Sequence, residues 1–123
     1  HSGYLVENSD LAGFTRQEQL FLAALVQNHR RLIPGGFADK LPARLHEPLR
    51  MTLFCLRFAC VLCRSREDDA IPAFRLSSGE NTITVSFSEQ WKENHPLTMY
   101  DLQQESRALD AIGLQLRISK TVG

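Results

Sequence analysis

Apolar positions recur at helical spacing through the first half of the chain and at alternate residues through much of the second, so the two halves predict different secondary structure. In Phe14-Thr15-Arg16-Gln17-Glu18, Thr15 can accept from the Glu18 amide while Glu18 reaches back to the Thr15 amide, the reciprocal bonding of a capping box. A helix is expected to start there. Residues 20–26 give it a wide apolar band, and Gln27-Asn28-His29-Arg30-Arg31 brings cations to its last turns, where they oppose the negative helix end. Pro34-Gly35-Gly36 is expected to stop it. After a loop containing Pro42 and a short turn near Lys40, Pro48 suits a helix's first turn, and residues 49–66 are apolar almost all round. That pattern predicts a buried helix. Its polar interruptions are Arg50, Thr52, Arg57 and Arg64, and the three arginines are spaced by seven. A seven-residue step drifts by only about 20° around a helix, so they form one narrow basic stripe, expected to be the helix's only wet face.

Arg66-Glu67-Asp68-Asp69 and Pro72 mark a change of style, and a boundary is expected near residue 70. Periodicity then alternates: Phe74 and Leu76 share one face, as do Ile83, Val85 and Phe87, while Thr82, Thr84 and Ser86 take the other. With Ser78-Gly79-Glu80-Asn81 as turn chemistry between them, residues 73–87 predict a hairpin with one buried face. Residues 88–96 predict one short helical turn containing Trp91. Thr98, with Asp101 three residues on, predicts another helix start; Leu102, Leu109 and Ile112 supply its apolar face, and Gly113 can end it in a left-handed cap. Leu114, Leu116 and Ile118 alternate with Gln115 and Arg117, a third strand. The expected fold class is therefore α+β, a helical part over residues 1–69 followed by a small ββαβ domain over residues 70–123, with one helix on the buried face of the sheet.

Composition narrows the partners. A chain of 123 residues can bury a core without metal or disulfide staples. Its 43% hydrophobic and 23% charged residues exclude disorder. No apolar run approaches the roughly 18 residues of a bilayer span, so no membrane span is expected. Fourteen Lys plus Arg against fourteen Asp plus Glu leave no global basic footprint, and no nucleic-acid partner is expected. The chain opens at His1 without Met or a signal-like leader, which suggests a processed chain or a piece of a longer one. Cys55, Cys60 and Cys63 crowd onto one apolar run, where reduced thiols in a cytoplasmic core are expected.

Candidate chemistry is sparse. Cys60-Val61-Leu62-Cys63 has the spacing of half a zinc site, but the cysteines stand among Leu, Phe, Ala and Val on a helix rather than on turns, and they read as small hydrophobes. A metal-dependent phosphohydrolase of the HD type needs a His-Asp dipeptide, and none of the four histidines precedes Asp. Pro34-Gly35-Gly36 lacks the Lys-Ser/Thr of a Walker phosphate loop, and no Ser elbow marks a nucleophile. No catalytic residue and no metal ligand is therefore assigned. His29, Arg30 and Arg31 read either as a solvated helix end or as an anion site, because guanidiniums and imidazole meet phosphate oxygens with charge-assisted hydrogen bonds. The Arg50, Arg57, Arg64 stripe reads either as a solvated or salt-bridged face or as a continuation of that site.

The run from His1 to Thr15, HSGYLVENSDLAGFT, then Glu18-Gln19 and Val26-Gln27-Asn28-His29-Arg30-Arg31, resembles the C-terminal region of the exopolyphosphatase and guanosine pentaphosphate phosphohydrolase family. Leu56-Arg57-Phe58-Ala59 with Arg64 is similar to that family's next helix. Phe87 to Trp91, His95-Pro96-Leu97-Thr98 and Asp101-Leu102-Gln103-Gln104-Glu105 resemble its terminal ββαβ part. The resemblance covers nearly the whole chain, and its first segment is the most specific. It implies a degenerate HD-like helical domain without a working metal site, followed by a small α/β domain. Together these help a parent enzyme hold a long polyanion and form a homodimer. The parent so implied is a cytoplasmic exopolyphosphatase that cleaves terminal phosphate from inorganic polyphosphate, with an actin-like N-terminal catalytic half that uses Mg²⁺. The present chain, with no cofactor of its own, is then an inactive substrate-holding and dimerisation piece whose polyanion contacts are His29, Arg30, Arg31, Arg50, Arg57 and Arg64. Two alternatives stand beside it: the corresponding part of a guanosine pentaphosphate phosphohydrolase, and an independent protein-interaction module. A self-sufficient hydrolase is disfavoured for want of metal and nucleophile motifs.

Overall fold

The computed structural model describes Glu7, Gly13, residues 15–28, Ile33, residues 36–65 and residues 73–119. Among the described residues the elements run in the order α1 (Arg16–Asn28), a 3-10 turn (Ala43–Leu45), α2 (His46–Ser65), β1 (Arg75–Gly79), β2 (Thr82–Ser86), α3 (Glu89–Asn94), α4 (Pro96–Asp110) and β3 (Gln115–Ile118). The architecture is α+β, helices first and a small mixed sheet after, as expected. Two compact units divide at Arg57 and Phe58, inside α2. The boundary expected near residue 70 falls outside the described residues.

In the first unit, α1 begins at the capping box read from the sequence. The Glu18 amide donates to Thr15 Oγ1 at 3.0 Å and the Thr15 amide donates to Glu18 Oε1 at 2.9 Å, satisfying two of the amides that a helix start leaves without intrahelical partners. The helix is assigned to Asn28, whose side-chain Nδ2 donates back to the Ala24 carbonyl at 2.7 Å. His29, Arg30 and Arg31, expected in its last turns, lie outside the described residues, as do Pro34 and Gly35. Beyond them, Ala38, Leu41 and Leu49 form a buried cluster against which Leu20, Phe21, Ala24, Leu25, Phe37 and Leu45 pack. That cluster uses the apolar band of α1 as the sequence predicts.

The second helix corrects two expectations. It is not buried all round: Leu49, Leu53, Phe54, Phe58, Val61 and Leu62 are buried, whereas Thr52, Cys55, Leu56, Ala59 and Cys63 are exposed. Nor is the arginine stripe its wet face, because Arg57 is only 4% exposed. A near-continuous apolar run does not say which side of a helix will meet a neighbour, and tertiary packing chose the side carrying Arg57.

In the second unit, β1 and β2 pair antiparallel from Arg75↔Ser86 to Gly79↔Thr82, joined through Glu80 and Asn81, and β3 adds parallel to β2. Asn81 takes a left-handed φ of 57°, which Asn tolerates better than most side chains. Ile83, Val85, Phe87 and Leu116 are buried on one face. β1 departs from the expected buried face, since all five of its residues are exposed and Leu76 is 45% exposed. It is an edge strand of a three-stranded sheet in the order β1-β2-β3, with a neighbour on one side only.

α3 is the short turn expected around Trp91, capped by Ser88 Oγ, which accepts from the Trp91 amide at 3.1 Å. α4 starts two residues before the expected cap. Pro96 occupies the first turn, where its fixed φ fits and its missing N–H costs no helical bond. Thr98 is therefore carried inside the helix and buried. The other end is as read: Gly113 has φ 75°, its amide donates to the Asp110 carbonyl at 3.1 Å, and the Leu114 amide donates to the Leu109 carbonyl at 3.1 Å, the paired bonds of a Schellman cap. Phe58, Phe74, Phe87, Trp91 and His95 meet in succession, Phe58 edge-on to Phe74, Phe74 tilted against Phe87, and the rings stacked with centroids 4.4 Å apart at Phe87–Trp91 and at Trp91–His95.

Candidate anion-binding site

Three of the six basic residues singled out by the sequence are described. Arg57 sits on the side of α2 that meets the end of α1, and its Nη1 donates to the backbone carbonyl of Asn28 at 2.6 Å. The charge-assisted bond offsets part of the desolvation of a buried cation. Asn28 is covalently followed by His29. The same hydrogen bond therefore ties the basic side of α2 to the residue from which His29-Arg30-Arg31 extends.

Arg50 lies two turns earlier, its side chain 15% exposed, with Nη2 2.7 Å from Glu47 Oε2 one turn back. Arg64 is 62% exposed, with Nη2 3.8 Å from Asp101 Oδ2 on α4. The stripe therefore breaks into one buried structural arginine, one half-buried ion-paired arginine and one open arginine. Only Arg64 presents most of its side chain to solvent, and an exposed pair at that separation holds it weakly. His29, Arg30 and Arg31 lie outside the described residues.

Sequence reading missed two further cations of the first unit. Lys40 Nζ meets Glu7 Oε1 at 2.5 Å, and Arg44 Nη2 donates to Gln17 Oε1 at 2.5 Å. Both partners are distant in sequence, so no local motif announces them. Lys40, Glu7, Asn28 and Leu20 border a cleft of about 180 Å³. That is smaller than the roughly 300–1,000 Å³ of small-molecule sites, so a chain-like anion would lie along the surface rather than inside it.

The cysteines are not core residues: Cys55 and Cys63 are exposed and Cys60 is half-buried, all three as free thiols. They lie on the side of α2 away from its buried residues, which corrects the expectation of a packed thiol cluster. Among the described residues, no group of three or more His, Cys, Asp or Glu side chains is placed to hold a metal ion. No helix among them is long and apolar enough to cross a membrane.

Residues 1–106 match the family described as Ppx/GppA phosphatase, domain III. The chain belongs to the Ppx/GppA phosphatase family. Relatives within it include the protein named guanosine-5'-triphosphate,3'-diphosphate pyrophosphatase from Pseudoalteromonas translucida (strain TAC 125), 32% identical over 120 residues, which covers 97% of this chain and 24% of that protein. The protein of the same name from Vibrio atlanticus (strain LGP32) is 33% identical over 118 residues, covering 96% of this chain and 23% of its own length. The chain thus spans about a quarter of the length of these Ppx/GppA relatives. The resemblance read from HSGYLVENSDLAGFT and the segments after it is to this family.

Proposed function

We propose that this chain holds substrate and supports dimer assembly within a larger cytoplasmic Ppx/GppA phosphohydrolase, an exopolyphosphatase that removes terminal phosphate from inorganic polyphosphate. Catalysis belongs to an N-terminal half of the parent. Mg²⁺ would act in that catalytic half, as the family resemblance implies. What supports the reading is the Arg57–Asn28 hydrogen bond, which joins the chain leading into His29, Arg30 and Arg31 to the helix carrying Arg50 and Arg64. Polyphosphate carries about one negative charge per phosphate and has no ring or base to grip, so repeated cations are its natural holder. Arg57 acts here by positioning, since its guanidinium is buried against Asn28. Contact with the anion falls to His29, Arg30, Arg31, Arg50 and Arg64.

The test is made in the parent enzyme. Replacing Arg30 and Arg31 together by Ala is expected to lower affinity for long polyphosphate more than for short chains and to flatten the salt dependence, each lost phosphate contact reducing the slope. Turnover of short substrates is expected to stay nearly intact. Equal affinity of variant and parent for long chains at low salt would return these residues to a solvated helix end. A second reading, guanosine pentaphosphate as the preferred substrate, is favoured by the names of the relatives. Comparing kcat/KM of the parent on polyphosphate and on guanosine pentaphosphate separates the two.

A further inference from the structure

Three thiols have no part in holding an anion, and packing brings two of them together at the surface of α2. Cys60 and Cys63 are three residues apart in a continuous helix. They are therefore about 60° apart around it and about 4.5 Å apart along it, so their side chains leave the same side one turn apart. Cys63 is exposed, Cys60 is half-buried, and both are free thiols. Ala59, exposed one turn before Cys63, has only a methyl group to set beside them. Cys55 is also a free, exposed thiol, but it lies elsewhere on the helix. It is about 140° round from Cys60 and about 12 Å along the axis from Cys63.

The spacing selects the chemistry. Residues one turn apart on a helix hold their Cβ atoms about 5–6 Å apart, whereas a disulfide needs about 3.5–4.5 Å, so direct closure would distort α2. One metal ion between the sulfurs fits instead. Zinc–thiolate bonds are about 2.3 Å long, and two bonds of similar length in line hold the sulfurs about 4.6 Å apart, which rotation about the Cα–Cβ bonds can reach. Structural zinc itself takes four ligands, and among the described residues no group of three or more His, Cys, Asp or Glu is placed to hold a metal. A soft monovalent ion is satisfied by two, and soft thiolates select Cu(I). We propose that Cys60 and Cys63 form a two-coordinate Cu(I) site. Binding removes one proton from each thiol to solvent and forms two Cu–S bonds, with no change in oxidation state. The resulting bis-thiolate complex carries one net negative charge. Arg64 stands one turn after Cys60, its side chain 62% exposed and its Nη2 3.8 Å from Asp101 Oδ2, so its guanidinium can balance that charge. The site is independent of which anion the parent enzyme takes.

The experiment titrates the reduced 123-residue chain with Cu(I) under argon against a chromogenic Cu(I) chelator and weighs the product by native mass spectrometry. One Cu(I) per chain is expected. An ion shared between two chains overturns the proposal, as does failure to withdraw copper from the chelator. Cys60→Ser and Cys63→Ser are each expected to weaken binding by about 100-fold or more, at or beyond the upper end of what an outer-shell change costs, while Cys55→Ser leaves it unchanged. Unchanged affinity in either of the first two, or equal loss in the third, overturns it. Thiol labelling of the unaltered chain decides the same question with no variant to fold. Cu(I) should protect Cys60 and Cys63 and leave Cys55 reactive; uniform protection, or none, rejects the site. Zinc(II) in excess is expected not to displace Cu(I), and displacement would overturn the assignment to a soft two-coordinate ion.

Discussion

A guanidinium with 4% of its residue surface exposed is expensive to bury, and Arg57 is kept there by the carbonyl it meets. Removing the donor deprives the Asn28 carbonyl of this bond, which costs about 1–3 kcal/mol. Arg57→Met, close in length and apolar, is therefore expected to lower the urea midpoint by an equivalent amount with the slope unchanged. An unchanged midpoint would show that water takes the carbonyl over. The thiols make a second prediction at this scale. With Cys55 and Cys63 exposed and Cys60 half-buried, a thiol reagent applied to the native chain should label the first two promptly and Cys60 more slowly. Three equally slow thiols would put them back in a core. The sequence misplaced these positions because its one polar mark, the arginine stripe, pointed to water on a side that packing buries at Arg57.

Elements whose ends are fixed by local bonding behave as read. Thr15→Ala removes one half of the capping box and should destabilise α1 by about 1 kcal/mol, measured by thermal unfolding followed by circular dichroism. Gly113→Ala forces a Cβ into φ 75° and should cost about 1 kcal/mol at the end of α4, whereas Gly113→Asn should cost less. Both features were legible because a cap is written in residues three or four apart. The start of α4 was not. Thr98 and Asp101 offered a cap, but Pro96 takes the helix's first turn without one, and the buried site of Thr98 depends on packing no local rule contains. The hairpin was legible from alternation, while the exposure of β1 was not: β3 is equally an edge strand and buries Leu116, so only packing distinguishes the two.

At the scale of the molecule, the expected outcome is that this chain alone releases no phosphate from polyphosphate in the presence of Mg²⁺; release well above buffer, persisting through purification, would assign it catalysis of its own. Phe87 tests the second unit as a whole. It is 1% exposed, stacked on Trp91 and tilted against Phe58 and Phe74, so Phe87→Ala should cost about 3–5 kcal/mol and shift the Trp91 emission on the way. The sequence by itself determined the family, the α+β class, the capped ends of α1 and α4 and the hairpin, because each of these is encoded by residues a few positions apart. It also named the arginines of α2, since a spacing of seven keeps them on one side of any helix. Only tertiary structure decided what that side does. Which side of an apolar rod becomes its inside depends on the neighbour it meets, and here the neighbour is the carbonyl end of α1, which takes Arg57 out of water and leaves the cysteines in it.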